Sequence, residues 1–264
     1  MARHGLWAGL LLFATSALAE QPLRLCALEH DAPRSERETK EGIDLDLAAA
    51  LAGELGVAAE TVWVRNSRRI LEIEDSDLPL GRLVRGACDI VASVPGEESL
   101  AHFASRVTLS APYYGLAFEL VGDADLPNLI EGLGETRTAV QLQTFAHLAL
   151  QQLGVPWHAA TSTAAALEVL DRGNVAAALV WGPDLGPLKR RPRGDFLPSQ
   201  GLRWNAHLAM RRDDPRTGAI ERALGALRSR GAIRSQLEAH GVPYREPFAS
   251  VSSAGARRAL RTRP

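Results

Sequence analysis

Hydrophobic spacing changes along this chain in a repeating order. A short apolar run, LRLCAL (23–28), leads through a polar loop, EHDAPRSERETKEG, into IDLDLAAALAGELG (43–56). There Leu47, Leu51 and Leu55 recur at helical spacing and Gly56 stands where a helix would stop, so the pattern predicts strand, loop and helix. ETVWV (60–64) reads as a strand, and a charged segment (65–79) leads into LPLGRLVRG, a short helix closing at Gly86. CDIVAS (88–93) is a strand. The cycle restarts with a strand at 137–142, helices at 144–154 and 163–173, and a strand at 175–182. A further strand covers 202–211, and 218–241 reads as helical with a break at Gly231. Alternating strands and helices argue for an α/β fold with parallel pairing. The return to a strand and helices after the second unit implies a discontinuous first lobe and a cleft between two lobes, a common place for a ligand.

The first nineteen residues concern address, not fold. Arg3 and His4 form a positive start, Gly5 to Leu12 is a short apolar run, and Ala17-Leu18-Ala19 is a small-residue cleavage site. This is the pattern of a Sec signal peptide cleaved after Ala19, which predicts a periplasmic location. The apolar run falls short of the roughly 20 residues a membrane helix needs. About 245 residues then remain, enough for one large domain or two lobes of about 100 each. The formal net charge is -1, which argues against a nucleic-acid partner. Lysine occurs only at Lys40 and Lys189, a bias we assign to genome composition. Cys26 and Cys88 both fall in segments that read as buried strands. In an exported chain an even count suggests one disulfide, the alternative being two buried free thiols.

Candidate cleft residues follow from strand ends. Pro95 and Gly96 come after CDIVAS, at the carboxyl edge where open α/β sheets bind ligands, and Glu29 and His30 follow the first strand at the same edge. Trp181-Gly182-Pro183 closes a buried strand, as a cleft rim or partner contact or as a packing tryptophan at a tight turn. Tyr113 and Tyr114 read as hinge or packing residues. Asp44 and Asp46 are two apart on a helix and do not face each other, so Asp44 is expected to cap or charge the helix start. Arg68-Arg69 and Lys189-Arg190-Arg191 read as solvated loops, and the tail from Phe248 as disordered. The seven histidines lack metal-ligand spacing and there is no G-x-S-x-G, so the reading is of a non-enzyme with no catalytic residue, metal or cofactor.

Four segments in order resemble family 3 extracellular solute-binding proteins. GIDLDLAAALAGELG resembles their G-F-D-V-D-L-A-x-A-I-A-x-x-L-G helix, GACDIVAS their G-x-x-D strand, TLSAPYY their F-S-x-P-Y-Y, and TAVQLQTF their V-A-V-x-x-G-T. The resemblance covers 22–245 and implies the type II periplasmic binding protein fold, two α/β lobes joined by two crossing strands, here 115–123 and 201–211. It divides the chain into the signal peptide (1–19), lobe 1 (20–116), lobe 2 (117–203), the lobe 1 return (204–247) and the tail (248–264). The family's amino-acid grips are missing. The arginine position falls near Phe103 or Ala101, the aspartate position holds Gly182 with Asp184 two residues on, and the glycine before Thr144 is Gln143, with bulky Phe145 after it. Thr144 alone matches the family's binding set directly. Two lost charged hydrogen bonds, each worth about 1.5–3 kcal/mol, make a free α-amino acid an unsuitable ligand.

A narrower resemblance is to the solute-binding-like proteins associated with quinoprotein (PQQ) dehydrogenases. They read G-x-C-D-V-V-x-x-V-P-x-G where this chain has GACDIVASVPG (86–96), L-R-V-C-A for LRLCA (23–27), V-V-W-G-P-x-A-G for LVWGPDLG (179–186), and E-Y-G-V-P for EAHGVP (238–243). This implies a monomeric, non-enzymatic accessory of a PQQ-dependent alcohol or methanol dehydrogenase, its partner being that enzyme or its cytochrome. The alternative is a receptor delivering a small solute, not a standard α-amino acid, to an ABC permease. An enzyme resembling cyclohexadienyl dehydratases would need the carboxylate-binding arginine that this chain lacks.

Overall fold

The structure, a computed structural model, describes residues 21–66 and 78–249. The expected signal peptide, Arg68-Arg69 with most of the charged insert, and the tail beyond residue 249 lie outside the described residues. No helix among them is long and apolar enough to cross a membrane.

Strand β1 (Leu23–Leu28) alternates its side chains as a strand buried on both faces must. Leu23, Leu25 and Ala27 enter one core layer, while Cys26 and Leu28 enter the opposite one. The loop after it holds a small antiparallel pair, β2 (His30–Asp31) and β3 (Ser35–Glu36), and parallel partners flank β1, β4 (Ala59–Val64) on one side and β5 (Ile90–Val94) on the other. Helix α1 (Ile43–Leu55) packs Leu47 and Leu51 on the first layer and ends at Gly56, whose φ of 72° is the left-handed stop its sequence foretold. Helix α2 (Pro79–Val84) covers the second layer through Leu83. Cys26 and Cys88 are joined as a disulfide, with Cα atoms 5.6 Å apart. Cys26 is on β1 and Cys88 stands two residues before β5, in the segment leading from α2 into it, and both side chains enter the second core layer.

Two nine-residue strands build the connection between lobes. Strand β7 (Tyr114–Gly122) and strand β11 (Arg203–Arg211) pair antiparallel over their first halves, from Tyr114 with Ala206 to Ala117 with Arg203. Each then leaves the other. β11 continues against β5 and the short β6 (Val107–Leu109), while β7 from Phe118 to Gly122 pairs with β10 (Ala177–Trp181). β10 in turn pairs parallel with β8 (Thr138–Gln141), and β8 with β9 (Trp157–Ala160). The resulting order, β4-β1-β5-β11-β7-β10-β8-β9, is one curled sheet shared by two lobes, and the crossings lie within two residues of those expected. Helices α3 (Phe145–Leu153) and α4 (Thr163–Asp171) cover the second lobe, and α5 (Thr217–Ser229) and α6 (Ala232–Ala239) return to the first. The break between the last two falls at Gly231, φ 75°. Strand β9 escaped the sequence pattern because WHAA is an edge strand without apolar alternation.

After α6 the chain does not trail away at once. Residues 244–248 run as a strap over the crossing strands. The Gly115 amide donates to the Arg245 carbonyl at 2.8 Å, and Asn205 exchanges two hydrogen bonds with the backbone of Phe248 at 2.8 and 3.0 Å. A Cβ on Gly115 would sit 2.8 Å from the Glu246 carbonyl oxygen, so only glycine lets the strap lie this close. Arg245 also forks both oxygens of Glu119, a β7 carboxylate buried to 2 % exposure, at 2.5 and 2.6 Å.

Candidate functional site

Where the crossing strands separate, the lobes enclose a cavity of about 410 Å³. One wall is aromatic. Phe118 comes from β7, Trp181 from the end of β10, Trp204 from β11 and Phe145 from the first turn of α3. The rings meet at tilted or edge-on angles: Phe118–Trp181 at 5.2 Å, Phe145–Trp204 at 5.3 Å, Trp181–Trp204 at 5.9 Å and Phe118–Trp204 at 6.2 Å between centroids. Phe145 is 55 % exposed, which a core aromatic would not be. Trp181 and Trp204 pack against the cores of both lobes.

The facing wall is polar. The loop after β1 supplies Asp31, Pro33 and Arg34, β5 supplies Ser93 and then Pro95, and the turn after Trp181 supplies Pro183 and Asp184. Arg34 forms an ion pair with Asp31. Burial works against the Arg34 charge, yet Asp31, Asp44 and the Tyr114 side chain around it hold its pKa above the ordinary value. Burial raises the pKa of Asp31, against the pull of Arg34, and also that of Asp184, against a 2.6 Å hydrogen bond from the Thr163 hydroxyl.

Behind this wall lies a buried polar network. Ser93 adopts φ 55°, a left-handed backbone inside a strand, at an irregularity in the β5–β11 register. Its hydroxyl donates to Asp44 at 2.6 Å and its amide donates to the Tyr113 hydroxyl at 2.7 Å. The neighbouring Tyr114 hydroxyl is buried without a partner in hydrogen-bonding geometry. Asp44 does not cap α1, which has no side-chain cap. It is 8 % exposed and turns to Ser93, while Asp46 on another face meets His240 at 2.7 Å. Burial lifts the Asp44 pKa to about 6, against the opposing pull of Arg34 and the Ser93 hydroxyl.

That shift predicts a pH effect. With a folded pKa near 6 and an unfolded value near 3.8, the folded chain binds more protons between these values. The Asp44 contribution to stability is therefore lost as pH rises from about 4 to 6. Asp44→Asn keeps the shape without the buried charge. It is expected to be more stable than the parent at pH 7.5 by on the order of 2 kcal/mol, with the gain vanishing near pH 4. Urea unfolding at both pH values checks this, and an equal gain at both would rule out the assigned titration.

Of the residues expected at a cleft, Pro95, Trp181 and Asp184 line the cavity. Glu29 instead pairs with Arg37, and His30 is exposed against Glu36 at 2.8 Å. Gly96 lies just past the wall. Tyr113 is buried in the first-lobe core. Thr144 caps α3, accepting from the His147 amide at 3.2 Å. Gln143 before it takes φ 62°, the conformation a glycine would supply, so the turn survives the substitution. Gly182 sits under the cavity, where a Cβ would lie 2.8 Å from the Ala117 carbonyl oxygen and 2.9 Å from Glu119 Cγ. It is glycine so that the turn can rest on β7. Of the two amino-acid-grip positions, Phe103 is buried in the first-lobe core, and Arg106 stacks over its ring. Arg190 pairs with Asp171 at 2.7 Å.

Asp31, Arg34, Ser93, Phe118 and Trp204 line the cavity without having been singled out beforehand. Arg34 and Asp31 had one available signal, a base and an acid three residues apart in the loop at the carboxyl end of the first strand.

No family model and no curated protein sequence matches the chain. Solved structures do. The L-cystine solute receptor of Neisseria gonorrhoeae, in an unliganded open conformation, aligns at TM-score 0.66 with 20% identity, over 83% of this chain and 92% of that one. Substrate binding domain 2 of GlnP from Lactococcus lactis gives TM-score 0.62 and 15% identity, over 83% and 94%. MxaJ from Methlophaga aminisulfidivorans gives TM-score 0.58 and 19% identity, over 84% and 99%. The chain therefore has the two-lobed fold shared by these solute-binding proteins.

Proposed function

We propose that this chain is a periplasmic accessory protein of a PQQ-dependent dehydrogenase system, acting by binding and not by catalysis. The observation that carries the reading is a convergence. The two segments most like the quinoprotein-associated proteins, 86–96 and 179–186, supply Ser93, Pro95, Trp181, Pro183 and Asp184 to one cavity. The PQQ-associated MxaJ among the fold neighbours supports the same direction. The Cys26–Cys88 disulfide fits an oxidising compartment, in keeping with the expected signal peptide. A binding role is supported by the lining itself, an aromatic wall facing a polar one in which Ser93 directs its proton to buried Asp44. Capture from a periplasmic extract with the tagged mature chain is expected to enrich a PQQ dehydrogenase or its cytochrome. Enrichment of neither would count decisively against this role.

One observation favours a transport receptor as the second reading. A concave, largely apolar cavity of about 410 Å³ is of the size that holds a small solute. Under that reading the captured partner is an ABC permease, and calorimetry with the solute shows micromolar binding.

A further inference from the structure

The cavity has an electrostatic composition that selects among ligands. Its titratable lining residues are two carboxylates, Asp31 and Asp184, and one guanidinium, Arg34. Arg34 is already taken by Asp31, so a ligand carboxylate would have to compete with an internal ion pair. Asp184 is oriented by the neutral Thr163 hydroxyl and also feels the Arg34 charge, so two carboxylates share one guanidinium and the polar wall keeps a surplus negative charge. The opposite wall is four aromatic rings, whose faces carry negative quadrupole potential. Both walls therefore favour positive charge. A bare metal ion would meet two carboxylates but also a wall of rings offering no oxygen ligands. A neutral apolar molecule would cover the rings and leave the surplus negative charge of the polar wall facing it. A cation with an apolar surface meets both requirements, since aromatic rings attract ammonium groups by cation–π interaction while shedding water from their own faces.

We propose that the cleft takes a small organic cation of the alkylammonium class, its alkyl surface against Trp181, Trp204, Phe118 and Phe145 and its charge beside Asp184. The proposal rests on reading the cleft as a binding site, under either role given above. It departs from the grip on both ends of an α-amino acid, because it asks for no carboxylate on the ligand.

The test uses the mature chain and three probes of nearly equal shape: choline, its neutral carbon isostere 3,3-dimethylbutan-1-ol, and the zwitterion glycine betaine. Tryptophan fluorescence and calorimetry are expected to show saturable choline binding, with both other probes at least tenfold weaker. Asp184→Asn is expected to weaken choline about tenfold, and Phe145→Leu, at a largely exposed position whose loss does not threaten folding, about threefold to tenfold. Equal binding of the neutral isostere, or preference for betaine, would overturn the cation assignment while leaving the cleft a binding site. No saturable response to choline or to tetramethylammonium would overturn it outright. Dehydrogenase capture, measured separately, reports on the accessory role alone.

Discussion

Arg245→Ala is expected to cost about 3–5 kcal/mol of folding stability, more than any other single substitution at a charged position considered above. Glu119 is 2 % exposed, and burial already raises its pKa despite the guanidinium beside it. Arg245 meets both Glu119 oxygens and also donates to the Phe196 carbonyl at 2.9 Å. Truncation therefore leaves a buried carboxylate without its counter-charge and a carbonyl without its donor. The deficit has a pH signature. In the variant Glu119 takes up a proton more readily when folded, so the loss shrinks as pH falls toward 4. The double substitution Glu119→Gln with Arg245→Met removes both charges and is expected to lose much less, about 1–2 kcal/mol. Urea unfolding of the three proteins at pH 7.5 and pH 4.5 checks this. A single variant within 1 kcal/mol of the parent at pH 7.5 would show that the pair is not needed.

Loss of the Cys26–Cys88 bond has an effect of similar size and a different origin. The bond closes a loop of 62 residues in sequence separation. The chain-entropy relation assigns such a loop about 4 kcal/mol, acting on the unfolded chain. Cys26→Ala with Cys88→Ala would add a small packing loss, since both side chains are buried in the layer formed with Val64, Leu83 and Val91. Reduction of the parent separates the two terms. It breaks the cross-link without deleting atoms, and the midpoint of denaturant unfolding is expected to fall while the slope rises, because the released unfolded chain exposes more surface. An identical midpoint with and without reductant would mean that the cross-link does not restrain the unfolded chain.

Much of the architecture could be read in advance because it depends on local repetition. Helix α1 follows from Leu47, Leu51 and Leu55 with Gly56 after them, the disulfide from an even cysteine count in a chain read as exported, although Cys88 precedes its strand and is not in it, and the final helical break from Gly231. The site was less legible, for three physical reasons. Asp31 and Arg34 stand in a polar loop with no periodicity, so nothing local distinguishes them from solvated charges. Phe118 and Trp204 belong to strands that exchange partners midway, and the alternation of sides cannot tell which partner each residue faces after the exchange. Asp44 looked like a helix-start charge because its true partner, Ser93, is 49 residues away. Pro95 and Trp181 are legible because strand ends, unlike strand faces, are marked by proline and glycine, and Asp184 because it stands two residues past the aspartate position of the resembled family.

The strand exchange at the hinge also dictates an order of assembly. The second lobe is a continuous stretch whose strands β7, β8, β9 and β10 find one another close in sequence. The first lobe cannot close its sheet that way, because β5 waits for β11, and Arg211 reaches back 123 residues to the Cys88 carbonyl. A chain emerging from its amino end therefore presents β5 with an open edge until nearly all of it has been released. The strap that fastens Arg245 to Glu119 arrives later still, so a contact that ties the crossing strands together is made only after both lobes have been released.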